Sequence, residues 1–212
     1  MKNTKKVLLG GVAALALVGT SVFGTYMYLT SQANVTNTFT VGNVNITMDE
    51  TDIDDSTLGK ERDTANTYHI YPGQSYIKDP IVHVSAGSED SWVFVTVKNE
   101  IASIEENDNT SYKNITAQIE ESWTKIGNDG DGTILYKYSA GKVDNSDTVQ
   151  DLTVFEGFTV DDDITGTVLA GYNNKTVIVN AYAVQAEGFT TAEEAWNTAF
   201  SSVGITAPAT SD

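Results

Sequence analysis

Side chains able to do chemistry are sparse in this sequence. It contains no cysteine, which excludes thiol nucleophiles, thiolate metal sites and disulfides. The two histidines are His69 and His83, and neither stands in an HExxH pattern. His83 lies inside the strand-like run IVHVS and His69 just ahead of a turn. Each is expected to be an exposed or hydrogen-bonded histidine rather than a ligand or a base. No GxSxG elbow presents a serine. What remains is carboxylates. Asp129 and Asp131, with Thr133, resemble a fragment of a calcium loop, but the sixth and twelfth positions hold Ile134 and Ala140 instead of Gly and Glu. Asp161, Asp162 and Asp163 form a second cluster, and Asp49, Glu50, Asp52, Asp54 and Asp55 a third. Solvated turns account for such clusters best. The sharper alternative is weak calcium binding at Asp129, Asp131, Asp161, Asp162 and Asp163. No other cofactor is expected, and the chain reads as a non-enzyme.

The elements that position these groups follow an export signal. Lys2, Lys5 and Lys6 precede a charge-free apolar run over 7–23, the layout of a secretory signal peptide. We assign residues 1–27 to it, with the cut somewhere in 24–33 because both Val22-x-Gly24 and Ser31-x-Ala33 satisfy the small-residue rule. An uncleaved membrane anchor is the alternative. Export places the protein outside the cytoplasm, secreted or at the surface, and the absence of cysteine favours a Gram-positive bacterium. Loss of the three lysines takes the net charge from −17 to −20. A surface so acidic repels nucleic acid and anionic lipid.

Strand signals dominate the remainder, one domain over 28–212. Alternating or β-branched runs occupy 38–48, 68–71, 77–84, 91–98, 134–138, 152–160 and 175–185. The run 91–98, SWVFVTVK, is apolar on both faces and is expected at the centre of a sheet. Gly-rich 127–133 is a turn following a strand at 123–126. Regular spacing with polar turns predicts an all-β, antiparallel sandwich with one or two short helices. Thr191 and Glu194 form a capping box ahead of Ala195, Trp196, Ala199, Phe200 and Val203, with Gly204 as the stop. The spacing of Ile115, Ile119 and Trp123 suggests a shorter helix that ends near Ser122. The acidic stretch 49–66 reads as a long, partly disordered loop. Tyr136, Tyr138, Tyr172 and Tyr182 read as packing residues.

Several segments in order resemble a known family. The end of the signal, GTYMYLT at 24–30, is followed by NTFTVGNV at 37–44. Then come YPGQSYIKDP at 71–80, GSE before SWVFVTVKN, and TVIVNAYAVQAEGF before a helix with Trp196. Together they resemble the SipW-type signal and strands of the TasA/camelysin family. The resemblance implies a secreted jelly-roll sandwich that polymerises into biofilm-matrix fibres. An N-terminal strand freed by signal peptidase inserts into the next subunit, so the main partner is another copy of this chain, with other matrix components besides. Met27 departs from the family's usual small residue at the cut. A metalloprotease activity described for camelysin finds no zinc site here and stands as a minor alternative. A monomeric adhesin or surface-binding module with acidic calcium loops is the other.

The residues add a physical basis for strand donation. The segment 28–48 is extended in character, rich in Thr and Val, and free of charge and proline. Such a segment can pair with an open sheet edge. Phe39, Val41, Val44 and Ile46 are the candidate anchors, with Gly42-Asn43 as a bulge between the two pairs. The competing expectation is that 28–48 is an ordinary first strand of its own subunit.

Overall fold

The computed structural model describes residues 30–33, 43–54, 62–107 and 111–208. The signal segment, Phe39 and Val41 lie outside the described residues. The architecture is all-β and antiparallel, with three short α-helices among the described residues. Among the described residues no helix is long and apolar enough to cross a membrane.

A five-stranded sheet has the order β1 (Thr30–Ala33), β11 (Val177–Gln185), β6 (Ser91–Asn99), β8 (Thr133–Tyr138), β7 (Trp123–Asn128). A four-stranded sheet has the order β3 (Arg62–Asp63), β2 (Ile46–Thr51), β5 (Ile81–Val84), β9 (Gln150–Thr153). The first sheet buries side chains on both faces because its central strands carry consecutive apolar residues, Val93, Phe94 and Val95 in β6 and Ala181 to Val184 in β11. Val93, Val95 and Val97 of β6 meet Ile46, Val82, Val84 and Leu152 of the other sheet in one core. Phe94, Leu135, Tyr182 and Val184 face the opposite way. That second face is covered by α3 (Ala192–Ala199), whose Trp196 is fully buried and donates from Nε1 to the Ile205 carbonyl at 2.7 Å. The Thr191 hydroxyl caps this helix by accepting from the Glu194 amide, while the Glu194 carboxylate accepts from the Thr190 amide. Gly204, at φ +82°, stops the turn that follows. The shorter α1 (Ile115–Ser122) is capped by Asn114 and inserts Ile115 and Ile119 into the first core. A third helix, α2, is a single turn at Gly166–Leu169.

Three readings of the sequence are corrected. The runs 77–84 and 152–160 are not single strands. Each breaks in the middle, giving β4 (Ser75–Ile77) with β5, and β9 with β10 (Gly157–Thr159). β4 and β10 form their own two-stranded sheet. The Val154 amide donates to the Pro80 carbonyl and the Lys78 amide to the Glu156 carbonyl, so both chains bend together as one ribbon. At the bend Gly157 is obligatory, because a Cβ there would sit 2.4 Å from the Tyr76 carbonyl oxygen. Second, 68–71 joins no sheet; Tyr68 instead packs edge-on against Tyr76 and Phe158. Third, 49–66 is not one loop. β2 continues to Thr51, and Arg62–Asp63 return to pair with Glu50 and Thr51. Of the run 38–48, the described part is strand only from Ile46 onward.

Candidate functional site

The sheets part between β2 and the first half of β11. β11 is hydrogen-bonded to β6 along its whole length, but on its other edge β1 takes only Ala181 to Val184. Val177 to Asn180 have no strand on that edge among the described residues. β2 is similarly half-open among the described residues. β5 pairs with Ile46 to Asp49 on one side, while β3 reaches only Glu50 and Thr51 on the other. A groove of about 1420 Å³ runs between these edges, with Met48, Ile70, Leu169, Tyr172, Val177 and Val179 among its apolar lining. That volume exceeds an ordinary small-molecule cleft and suits an extended chain.

Within the groove three polar side chains meet on the inner face of β2. Glu50 shares the inward register of Ile46 and Met48 and is 5 % exposed. Its Oε2 accepts from Lys78 Nζ at 2.6 Å and its Oε1 from Asn66 Nδ2 at 2.9 Å. Asn66 also imitates a strand: its Oδ1 accepts from the Ile53 amide at 2.8 Å, and Nδ2 donates to the Thr51 carbonyl at 3.0 Å. The Lys78 ammonium lies 5.8 Å from the Tyr68 ring centre.

On the outer face of the same sheet a charged network crosses all four strands. His83 on β5 lies directly opposite Asp151 on β9 and diagonal to Asp49 on β2. Its Nδ1 is 2.6 Å from Asp151 Oδ1 and its Nε2 3.1 Å from Asp49 Oδ1. Arg62, the chain's single arginine, binds Asp49 through Nε and Asp79 through Nη1 at 3.0 Å. Partial burial disfavours charge on His83, but its hydrogen bonds to Asp151 and Asp49 outweigh this and raise its pKa above the ordinary 6.5. Asp49 is held below its usual range because Arg62 and His83 outweigh the same partial burial. Asp79 is lowered likewise, by the Thr51 amide and Arg62.

The sequence-predicted residues divide. Val44 and Ile46 are 5 % and 3 % exposed and sit in this chain's own core. His83 is hydrogen-bonded in a strand, as expected, and His69 is exposed. Asp129 Oδ1 accepts from the Asp131 and Thr133 amides, so this carboxylate closes the hairpin turn between β7 and β8. Asp161, Asp162 and Asp163 bring one carboxylate oxygen each within 4.8 Å of the others. Sequence reasoning missed the Glu50, Lys78 and Asn66 trio and the Arg62 network. The available signals were a single arginine and an acidic residue at the inward register of β2. No family model matches the chain, and neither curated proteins nor solved structures give a match.

Proposed function

We propose that this protein is a secreted structural subunit, similar to the TasA/camelysin family in a jelly-roll arrangement of its sheets, that assembles into extracellular fibres by donating its N-terminal strand. The observation that carries this reading is the groove lined by the half-open edges of β2 and β11. Unpaired edge amides and carbonyls beside apolar side chains are what an extended, uncharged, proline-free segment satisfies. The burial of Val44 and Ile46 narrows the donated part to residues before Asn43, with Phe39 and Val41 as its anchors. Cleavage by signal peptidase frees that segment from the membrane and acts as the assembly switch. The protein carries no catalytic role in this reading, and its partner is a second copy of itself.

A second reading has its own support. β1 pairs with this chain's own β11 over Ala181 to Val184, so part of the N-terminal region docks without a neighbour, which suits a monomeric surface-binding module. Deletion of residues up to Gly42 from the mature protein, which removes the anchors Phe39 and Val41, separates the two. In the fibre reading, electron micrographs show fibres for the mature protein and none for the deletion, which stays a folded monomer. If the mature protein remains monomeric at high concentration, the fibre reading is wrong and the binding module stands.

A further inference from the structure

Glu50, Lys78 and Asn66 have the composition and contacts of a self-acylating site. We infer that Lys78 and Asn66 become joined by an amide bond between Nζ and Cγ, with Glu50 as the proton carrier. The inference is independent of the fibre reading. A neutral amine is the nucleophile such a bond requires, and a carboxylate must take its proton and return it to the leaving nitrogen. The geometry supplies both contacts on one group. Glu50 Oε2 holds the Lys78 ammonium at 2.6 Å and Oε1 holds the Asn66 amide nitrogen at 2.9 Å. The Ile53 amide donates to Asn66 Oδ1 at 2.8 Å, which polarises the carbonyl carbon and fixes its orientation. Glu50 and Lys78 side chains are 6 % and 11 % exposed, so water competes little with the attack.

The bookkeeping of atoms closes without a co-reactant. Glu50 takes one proton from the Lys78 ammonium, and the freed Nζ pair attacks Asn66 Cγ. Glu50 passes that proton to Nδ2 and takes a second from Nζ. The Cγ–Nδ2 bond breaks, ammonia leaves, and it carries the second proton away as ammonium. The product is a neutral secondary amide that closes the chain from residue 66 to residue 78. Tyr68 and Tyr76 lie within this loop and pack on Phe158, so the bond would lock the groove's wall. In an exported chain without cysteine it does the work a disulfide does elsewhere.

Tryptic mapping of the full secreted chain tests this. Trypsin cuts after Arg62, Lys78 and Lys98, but cannot cut after an acylated lysine. The expected product is one peptide of residues 63–98, lighter by one ammonia. The variant Glu50→Gln, confirmed folded by circular dichroism, should instead yield separate 63–78 and 79–98 peptides at full mass. Asn66→Asp should form the same bond with loss of water. Full-mass peptides 63–78 and 79–98 from the wild-type protein overturn the inference. So does loss of ammonia from 63–78 with cleavage after Lys78 retained, which marks a succinimide at Asn66.

Discussion

The His83 bridge predicts how stability depends on pH. A neutral imidazole carries one N–H and can donate to only one of the two carboxylates that flank it, at 2.6 Å and 3.1 Å. The second nitrogen would then point a lone pair at the other carboxylate. Only the imidazolium satisfies both, and it thereby ties β2, β5 and β9 together. His83 has a raised pKa in the folded state, so the folded protein binds its proton more tightly than the unfolded chain does. The contribution is therefore fully present below the unfolded value, near 6.5, and is lost as pH rises through the raised folded value. A hydrogen bond to a charged group is worth roughly 1.5–3 kcal/mol when well shielded. The Asp151 side chain is 60 % exposed and the Asp49 side chain 29 %. Asp49 also keeps Arg62 when His83 is neutral. Solvent screening therefore brings the pair to about 1–2 kcal/mol in total. Urea unfolding at about pH 6 and about pH 9 reads it directly, because the chain has no thiol and His69 is the only other histidine. Wild type should lose about 1–2 kcal/mol between the two conditions. His83→Gln should lose less than half of that, and His69→Gln should behave like wild type. An equal loss in wild type and His83→Gln would refute the bridge.

Three further outcomes follow from burial and contacts. Trp196→Ala removes the side chain that joins α3 to Phe94, Tyr182 and Phe200; it should cost about 3–5 kcal/mol in denaturant unfolding and release the eight-residue helix, which cannot stand alone. Ile46→Asp places an unpaired carboxylate in the core and should destabilise the monomer by more than about 3 kcal/mol, whereas Phe39→Asp should spare the thermal melt and weaken only fibre formation. Calorimetric titration with calcium should find at most weak binding, abolished by Asp161→Asn with Asp163→Asn; sub-micromolar affinity would contradict the solvated-turn account.

The parts of the fold legible in the sequence are those whose cause is local. β6, β8 and β11 announce themselves through β-branched and aromatic runs, and α3 through Thr191, Glu194 and the spacing of Ala195, Trp196 and Ala199. The expected central place of β6 holds because both of its faces find a partner layer. The bends at 78–80 and 154–156 were not legible. Each run is apolar enough to continue, and the break is set by a ribbon partner more than seventy residues away. The strand at 49–51 was hidden for a related reason. Asp49 and Glu50 look like loop residues until Arg62, His83, Lys78 and Asn66 are brought to them by the topology. A charge reads as exposed in sequence because its counter-charge is remote.

In the proposed donor-strand reading, the position of the signal cut determines how much edge the mature subunit offers. A cut after Gly24 leaves Thr30–Ala33, and β1 stays on Ala181 to Val184. Among the described residues the open edge of β11 beside β1 is then Val177 to Asn180, about 13 Å of strand at roughly 3.3 Å per residue. A cut after Ala33 removes β1 and opens the whole of Val177–Gln185, about 30 Å. The two mature forms should differ in hydrogen exchange before any assembly. The reporters are the backbone amides of β11 that point away from β6, since the alternate ones already donate to β6. With the early cut, these outward amides within 181–184 are protected in the monomer and those within 177–180 become protected only in fibres. With the late cut, both outward groups exchange in the monomer and both are protected on polymerisation. N-terminal sequencing of the secreted protein fixes which case applies, and exchange at the two halves of β11 then shows whether the edge is filled. Protection of the outward amides within 177–180 in the isolated monomer would mean that the groove is already occupied by its own chain, and the donor-strand reading would fail at that point.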